Sequence, residues 1–324
     1  MTDSSFSYRL YTETGPYDTD LDYVLDYDKQ KHIDFAILLG KPLLVEGEAG
    51  CGKTRLAYAI AHKLLGEQPR LATIRSTSRA VDLLYRYDAV RRLQESQLQN
   101  PELVEKAASA YRYVSLQDLG RSIFEPQPSV VLIDEIDKAD PDFANDLLHV
   151  IDQFAFQIDE IPDVEREASK TFQGFDRNVI GEGARPIIIF TSNRERPLPK
   201  PFLRRCIYLE LTFPTDPSDL AEIVQKNLRL ERSGVDHPAR GSDLSVQIID
   251  AAVASFLEIR KAAEDRKAIK LPATAELIDW VHVLHWEGTS PDAIKTGDPP
   301  HWRILFSTAR DIADYERSIS SGKE

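Results

Sequence analysis

Cysteine is nearly missing from this sequence: two in 324 residues, Cys51 and Cys206, far apart along the chain. Two thiols cannot build a disulfide framework or a four-cysteine zinc site, and they fit a reducing cytoplasm. Long apolar runs are missing too. The densest, Val130 to Ile133 and Ile187 to Phe190, fall far short of the ~18 consecutive apolar residues of a membrane helix, so no membrane partner is expected. The opening Met1-Thr2-Asp3-Ser4-Ser5 has no basic stretch followed by an apolar one, which argues against a secretory signal. Internal repeats and low-complexity blocks are also lacking.

Basic charge is in short supply. Lysine and arginine number 40 against 53 aspartates and glutamates, a formal net charge of −13. Such a balance lacks the electrostatic footprint of a protein that lives on phosphate backbones, and the arginine doublets Arg91-Arg92 and Arg204-Arg205 make no patch alone. Nucleic acid is therefore disfavoured as a partner. The acidic run Glu13, Asp18, Asp20, Asp22, Asp26 and Asp28 reads as a solvated face or loop.

What is present is an ordinary soluble composition, 42% apolar with 15 glycines and 19 prolines, in a chain long enough for two domains. Pro42 to Glu46 reads as a buried strand, and Lys53 to Leu65 as a helix stopped by Gly66. Leu71 to Ser76 reads as a second strand, 80–113 as helix and connections, and Ser115 as the start of a helix carrying Leu116, Leu119 and Ile123. Ser129 to Ile133 is an apolar strand. After it, Phe143, Leu147, Val150, Ile151 and Phe154 mark an amphipathic helix opening near Asp140-Pro141. Pro186 to Ser192 and Cys206 to Phe213 complete the strands. Strands separated by helices predict a parallel sheet covered on both faces.

The pattern changes at Phe213-Pro214-Thr215-Asp216-Pro217. Helical stripes then dominate: Leu220, Ile223, Val224 and Leu228; Ile249, Val253, Phe256 and Leu257; Leu277, Trp280, Val281 and Leu284; and a last helix near Trp302. The expected organisation is an α/β domain over 1–213, with an N-terminal segment 1–30, and a helical domain over 214–324.

Four motifs carry chemistry. Gly47-Glu48-Ala49-Gly50-Cys51-Gly52-Lys53-Thr54, followed by Arg55, satisfies G-x-x-x-x-G-K-[ST]. Its glycines let backbone N–H groups turn toward phosphates, and the following helix adds its positive N-terminal dipole. Lys53 is placed for the β- and γ-phosphates and Thr54 for magnesium, so ATP with Mg2+ is the expected ligand pair. A strand before and a helix after argue against an accidental glycine-rich turn. Cys51 reads as a filler where only the backbone matters. Next, the strand ending at Ile133 delivers Asp134 and Glu135: Asp134 to hold magnesium, Glu135 to polarise the attacking water, beside the phosphate loop if the strands are neighbours. Asp137 reads as a surface or capping residue. Third, Thr191-Ser192-Asn193 ends a strand, and an amide there can orient the water. Alone it would be a turn former. Fourth, Phe202-Leu203-Arg204-Arg205-Cys206 offers an arginine that, at a subunit edge, can neutralise transition-state charge in a neighbouring protomer. By itself the doublet would be a salt-bridged surface pair.

In this order and wording, GEAGCGKT, VVLIDEIDKA and IIIFTSNRERPLPKPFLRRC resemble an AAA+ ATPase, closest to the MoxR branch, over roughly residues 20–213. The resemblance implies a P-loop NTPase αβα sandwich with a parallel sheet and a smaller all-α lid. Asn193 would be sensor 1, and Arg205, with Arg204 beside it, would stand where the arginine finger belongs. It also implies a ring, commonly a hexamer, that remodels or assembles a protein client, often one with a von Willebrand factor A domain. The sequence departs from the family at Lys270 to Glu276, which has no sensor-2 arginine. The acidic stretch 155–185 corresponds to pore-facing insertions in the family. That makes Phe154, Phe156, Phe172 and Phe175 candidates for client contact, against an ordinary surface excursion. Two other functions stay open: an AAA+ motor on nucleic acid, disfavoured by charge, and an ATP-gated scaffold or signalling switch, disfavoured by the presence of both Glu135 and Asn193.

Overall fold

The computed structural model describes residues 9–13, 23, 25–229 and 243–321. Nine strands run through the described residues: β1 (Leu43–Gly47), β2 (Arg70–Thr73), β3 (Tyr85–Tyr87), β4 (Val114–Leu116), β5 (Val130–Asp134), β6 (Ala155–Gln157), β7 (Asn178–Ile180), β8 (Ile187–Ser192) and β9 (Ile207–Leu211). Five of them form a parallel sheet in the order β2-β5-β8-β1-β9. The register aligns Leu43 with Ile189, Ile133 with Phe190 and Thr73 with Asp134. Val131, Leu132, Ile133, Ile189 and Phe190 are fully buried, as a parallel sheet covered on both faces requires. β8 lies between β5 and β1, so the strand bearing Asp134 is not a neighbour of the strand that feeds the phosphate loop. The strand that leads into Asn193 is.

Helix Tyr27–Leu39 opens on Asp26, whose carboxylate accepts the Lys29 N–H at 2.8 Å, and ends on Gly40 at φ 58°. Part of the acidic run is therefore a helix start, with Asp28 in the first turn. Asp18, Asp20 and Asp22 lie outside the described residues. Helix Lys53–Leu65 and helix Pro141–Gln153 have the expected bounds, the second capped by Asp140 through the Asp142 N–H at 3.0 Å.

Residues 80–116 differ from their sequence reading. The expected helix at Ser115 is strand β4, paired antiparallel with β3, and the helix runs from Asp118 to Phe124. Leu116 pairs with Tyr85, while Leu119 and Ile123, four apart, make the buried helix face. Two short helices, Ala89–Gln97 and Pro101–Ala107, fill the excursion between β3 and β4.

The stretch 155–185 is a two-stranded ribbon, β6 with β7, enclosing helix Arg166–Gln173. Phe154, Phe156 and Phe175 are buried, Phe156 stacked on Tyr85 with centroids 6.3 Å apart and Phe175 set edge-on to Phe124 at 5.4 Å. Their desolvation by the core removes them as client contacts. Phe172 stays exposed, its ring 4.7 Å from the Arg112 guanidinium.

The contacts divide the chain into two compact units. Of the described residues, one gathers 9–13, 26–46 and 56–210; the other gathers 23, 25, 47–55, 211–229 and 243–321. The second is helical beyond the phosphate loop: Pro217–Arg229, Asp243–Asp265, Thr274–Trp286, Pro291–Ile294 and Ala309–Ser321. Its core packs Phe256, Leu277, Trp280, Val281 and Leu284, with the Trp280 indole N–H donating to the Pro300 carbonyl at 2.8 Å. Trp302 begins a single 3-10 turn, Trp302–Leu305, and the last helix starts at Ala309, later than its sequence reading.

Gly120 is fixed by a close approach. A Cβ there would stand 1.9 Å from the Leu84 carbonyl oxygen, which already accepts the Gln117 N–H at 2.9 Å. Gly120→Ala should lower unfolding free energy by about 1–3 kcal/mol, since backbone must move to admit a methyl. Urea unfolding measures this, and an undiminished midpoint would contradict the packing described.

Candidate active site

The phosphate loop leaves β1 at Gly47 and enters the helix at Lys53. Gly47 is required by crowding, since a Cβ would lie 2.2 Å from the Leu211 carbonyl oxygen. Gly50 and Gly52 stand at φ 81° and 92°, conformations that cost other residues ~1 kcal/mol or more. Lys53 is 6% exposed, and its ammonium donates to the carbonyls of Gly47 at 2.9 Å and Glu48 at 2.8 Å. A buried cation held by loop carbonyls, at the N-terminus of a 13-residue helix, fits a polyphosphate. The Thr54 hydroxyl, next to Lys53 in the same unit, is an oxygen donor of the kind that suits Mg2+. Cys51 is buried with Sγ 4.0 Å from Lys53 Nζ. Burial pushes its thiol pKa up more than the Lys53 charge pulls it down, so it is no thiolate nucleophile.

Around the loop, Tyr23 Oη donates to the Cys51 carbonyl at 3.4 Å, and the Ala273 methyl stands 2.8 Å from where a Gly50 Cβ would be. Lys270 to Glu276 has no arginine, but a basic residue from earlier in the helical segment reaches the loop. Arg260 donates through Nη2 to Glu48 Oε2 at 2.7 Å and through Nη1 to the Pro272 carbonyl, with its guanidinium 3.8 Å over the Phe213 ring. No local pattern marks Arg260 for this contact. It is one of several cations on a long helix.

The acidic edge is built where β5 and β8 end together. Thr191 Oγ1 donates to Asp134 Oδ1 at 2.5 Å and accepts the Glu135 N–H at 2.8 Å. Glu135 then adopts φ 58° and a 3-10 turn follows over Ile136–Lys138. That reversal carries Asp137 inward. It is 1% exposed, not a surface residue, and its Oδ2 accepts the N–H groups of Asn193 and Glu195, both at 2.9 Å. The loop after β8 is thereby fastened to the acidic turn, and Asn193 Nδ2 donates to Glu135 Oε1 at 3.1 Å. Thus Asp134, Glu135 and Asn193 come together, supported by Thr191, to which the sequence reading gave no role, and by Asp137, which it read as a surface or capping residue. Thr191 had a readable signal: a hydroxyl directly after the apolar run Ile187 to Phe190. Asp137 had none, because its partners lie 56 residues away or more.

Arg194, at φ 62°, reaches Glu46 Oε2 at 3.3 Å, Tyr208 Oη at 2.7 Å and Glu210 Oε1 at 2.5 Å, tying the Asn193 loop to the strands on its other side. The Arg204 and Arg205 side chains are both exposed. Arg205 pairs with Asp152 at 2.8 Å, while Arg204 meets no side-chain partner among the described residues.

A parallel sheet with a glycine-rich phosphate loop after its β1 strand and paired acids after β5 defines a P-loop nucleotide-binding protein. The chain belongs to the AAA domain family, dynein-related subfamily, whose pattern matches residues 42–206, just over half its length. Members of this class bind nucleotide and, in general, hydrolyse it. No curated protein matches the sequence. Among solved structures, the closed state of Hsp104 with ATPγS and casein shares 16% identity over 72% of this chain, with a TM-score of 0.43. This chain spans only 40% of that one. A point mutant of Thermotoga maritima RuvB shares 18% identity over 83% of this chain and 73% of its own, at a TM-score of 0.39. No helix among the described residues is long and apolar enough to cross a membrane.

Asp137→Ala removes the buried acceptor of the Asn193 and Glu195 N–H groups and should cost about 1–3 kcal/mol of stability. Asp137→Asn keeps one oxygen on those donors and should cost less. Denaturant unfolding of the two variants checks the order, and an alanine variant as stable as the parent would remove the fastening role.

Proposed function

We propose that this chain is a MoxR-like AAA+ ATPase that hydrolyses ATP in an oligomeric ring to remodel or assemble a partner protein complex. The observation that carries hydrolysis is the Glu135–Asn193 contact at 3.1 Å, on two strand ends locked together by Thr191 and Asp137. A scaffold that only bound nucleotide would need neither the carboxylate nor the amide so placed.

In this reading Gly47 to Arg55 wrap the triphosphate and Lys53 neutralises its β- and γ-oxygens. Thr54 and Asp134 hold magnesium, which draws charge from the phosphates when bound. Glu135 takes a proton from water as the water oxygen bonds to the γ-phosphorus and the bond to the ADP oxygen breaks. Asn193 orients that water. Arg204 or Arg205 acts in the site of a neighbouring protomer, which calls for an oligomer, a hexamer by family likeness. Arg204 is the freer of the two, since Arg205 must first leave Asp152. Residues 1–213 form the nucleotide-binding domain and 214–324 the lid. The client is a protein, on the same likeness one bearing a von Willebrand factor A domain. The setting is the cytoplasm, which two buried, unbridged cysteines suit.

Glu135→Gln should bind ATP with parental affinity, lower turnover by about a hundredfold or more, and hold the ring together in mass photometry with ATP. Turnover at the parental rate would remove Glu135 as the base. Arg204→Ala should retain ATP binding and lose up to about a thousandfold in turnover. If neither Arg204→Ala nor Arg205→Ala slowed hydrolysis, no arginine of this doublet acts in trans.

A further inference from the structure

Glu135 is restrained at both oxygens. Oε1 accepts from Asn193 Nδ2 at 3.1 Å, and Oε2 pairs with Lys138 Nζ at 2.5 Å. The second restraint follows from local backbone. Glu135 turns the chain at φ 58°, and the Lys138 N–H donates to the Glu135 carbonyl at 3.0 Å, closing a turn that folds the lysine back over the carboxylate three residues earlier. The bond to Glu135 lifts the Lys138 ammonium above its ordinary pKa, so the lysine keeps its charge at neutral pH. Nζ has no other hydrogen-bond acceptor among the described residues.

A carboxylate acts as a base through a lone pair directed at the water proton. An ammonium on one of its oxygens occupies a lone pair and stabilises the charge that must be given up. The side chains are 40% and 32% exposed, for lysine and glutamate respectively. Exposed pairs contribute only ~0.2–1 kcal/mol, so such a contact slows a reaction without stopping it.

We propose that Lys138 is a positioning residue that restrains Glu135 and sets basal hydrolysis below the rate the base could support. The proposal rests on Glu135 being that base. In the step concerned, the water oxygen bonds to the γ-phosphorus, the bond to the bridging ADP oxygen breaks, and one water proton passes to Glu135. Lys138 keeps its protons throughout. A neighbour or client that offers Lys138 another anion would release Glu135 and accelerate turnover.

Steady-state hydrolysis by the full chain tests this. Lys138→Met should raise kcat about two- to fivefold with KM for ATP unchanged, the rate equivalent of a weak exposed pair. Lys138→Arg should restore the parental kcat. A merely structural lysine would give a lower kcat on removal. Unchanged or lower kcat in Lys138→Met, with Glu135→Gln inactive, overturns the restraint alone. The double variant Glu135→Gln with Lys138→Met should be as inactive as Glu135→Gln, and a gain there would show an effect not routed through Glu135. Glu135→Gln turning over at the parental rate overturns the base assignment, and the restraint with it.

Discussion

Because Ile133 pairs with Phe190, β5 and β8 run out of sheet together, and Thr191 Oγ1 stands level with both the Asp134 carboxylate and the Glu135 N–H. That hydroxyl uses its donor on one and its acceptor on the other, so the register of two buried strands becomes the position of two acids. Everything further along the edge inherits it. The left-handed turn at Glu135 can form only once the strand has ended, and it throws Asp137 inward to meet the loop leaving β8. A slip of one residue would point every inward side chain of the strand outward, Thr191 among them.

The sequence made contiguous chemistry readable and left paired chemistry hidden. The phosphate loop is eight adjacent residues whose spacing is its geometry. The acids after β5 and the amide after β8 were likewise visible, because a buried apolar run announces its own end. Strand order was not. Placing β8 between β5 and β1 depends on which strands pair, and no local pattern specifies that. The three-residue strands of the two ribbons are too short to show alternation, so β4 was read as helix from Leu116, Leu119 and Ile123. Phe154, Phe156 and Phe175 looked available for a client because their neighbours are polar. The ribbon and the helix it encloses bury them all the same.

The phosphate loop shows a second kind of constraint, in which missing side chains matter more than present ones. At Gly47 the Leu211 carbonyl fills the place of a Cβ, and at Gly50 the Ala273 methyl does. The loop is crowded at both of these glycines, so neither position admits a side chain without a shift. Lys53 stays buried with no carboxylate hydrogen-bonded to it among the described residues, held by two carbonyl oxygens. Carbonyl dipoles orient an ammonium without cancelling its charge, which leaves that charge for an anion.

Asp137 and Lys138 are adjacent in sequence, yet the solvent around them assigns them opposite behaviour. Asp137 accepts two N–H bonds at 1% exposure, where water does not readily replace either partner of its carboxylate. Such a contact is too costly to open within a catalytic cycle, and it suits a permanent fastening of the Asn193 loop. Lys138 holds Glu135 at an exposed site, where water replaces either partner at little cost. That contact can open and close without disturbing the turn that carries it. The acidic edge thus combines a frame that fixes where the carboxylate sits with a restraint that governs how often it is available. Only the second can be regulated without unfolding the first.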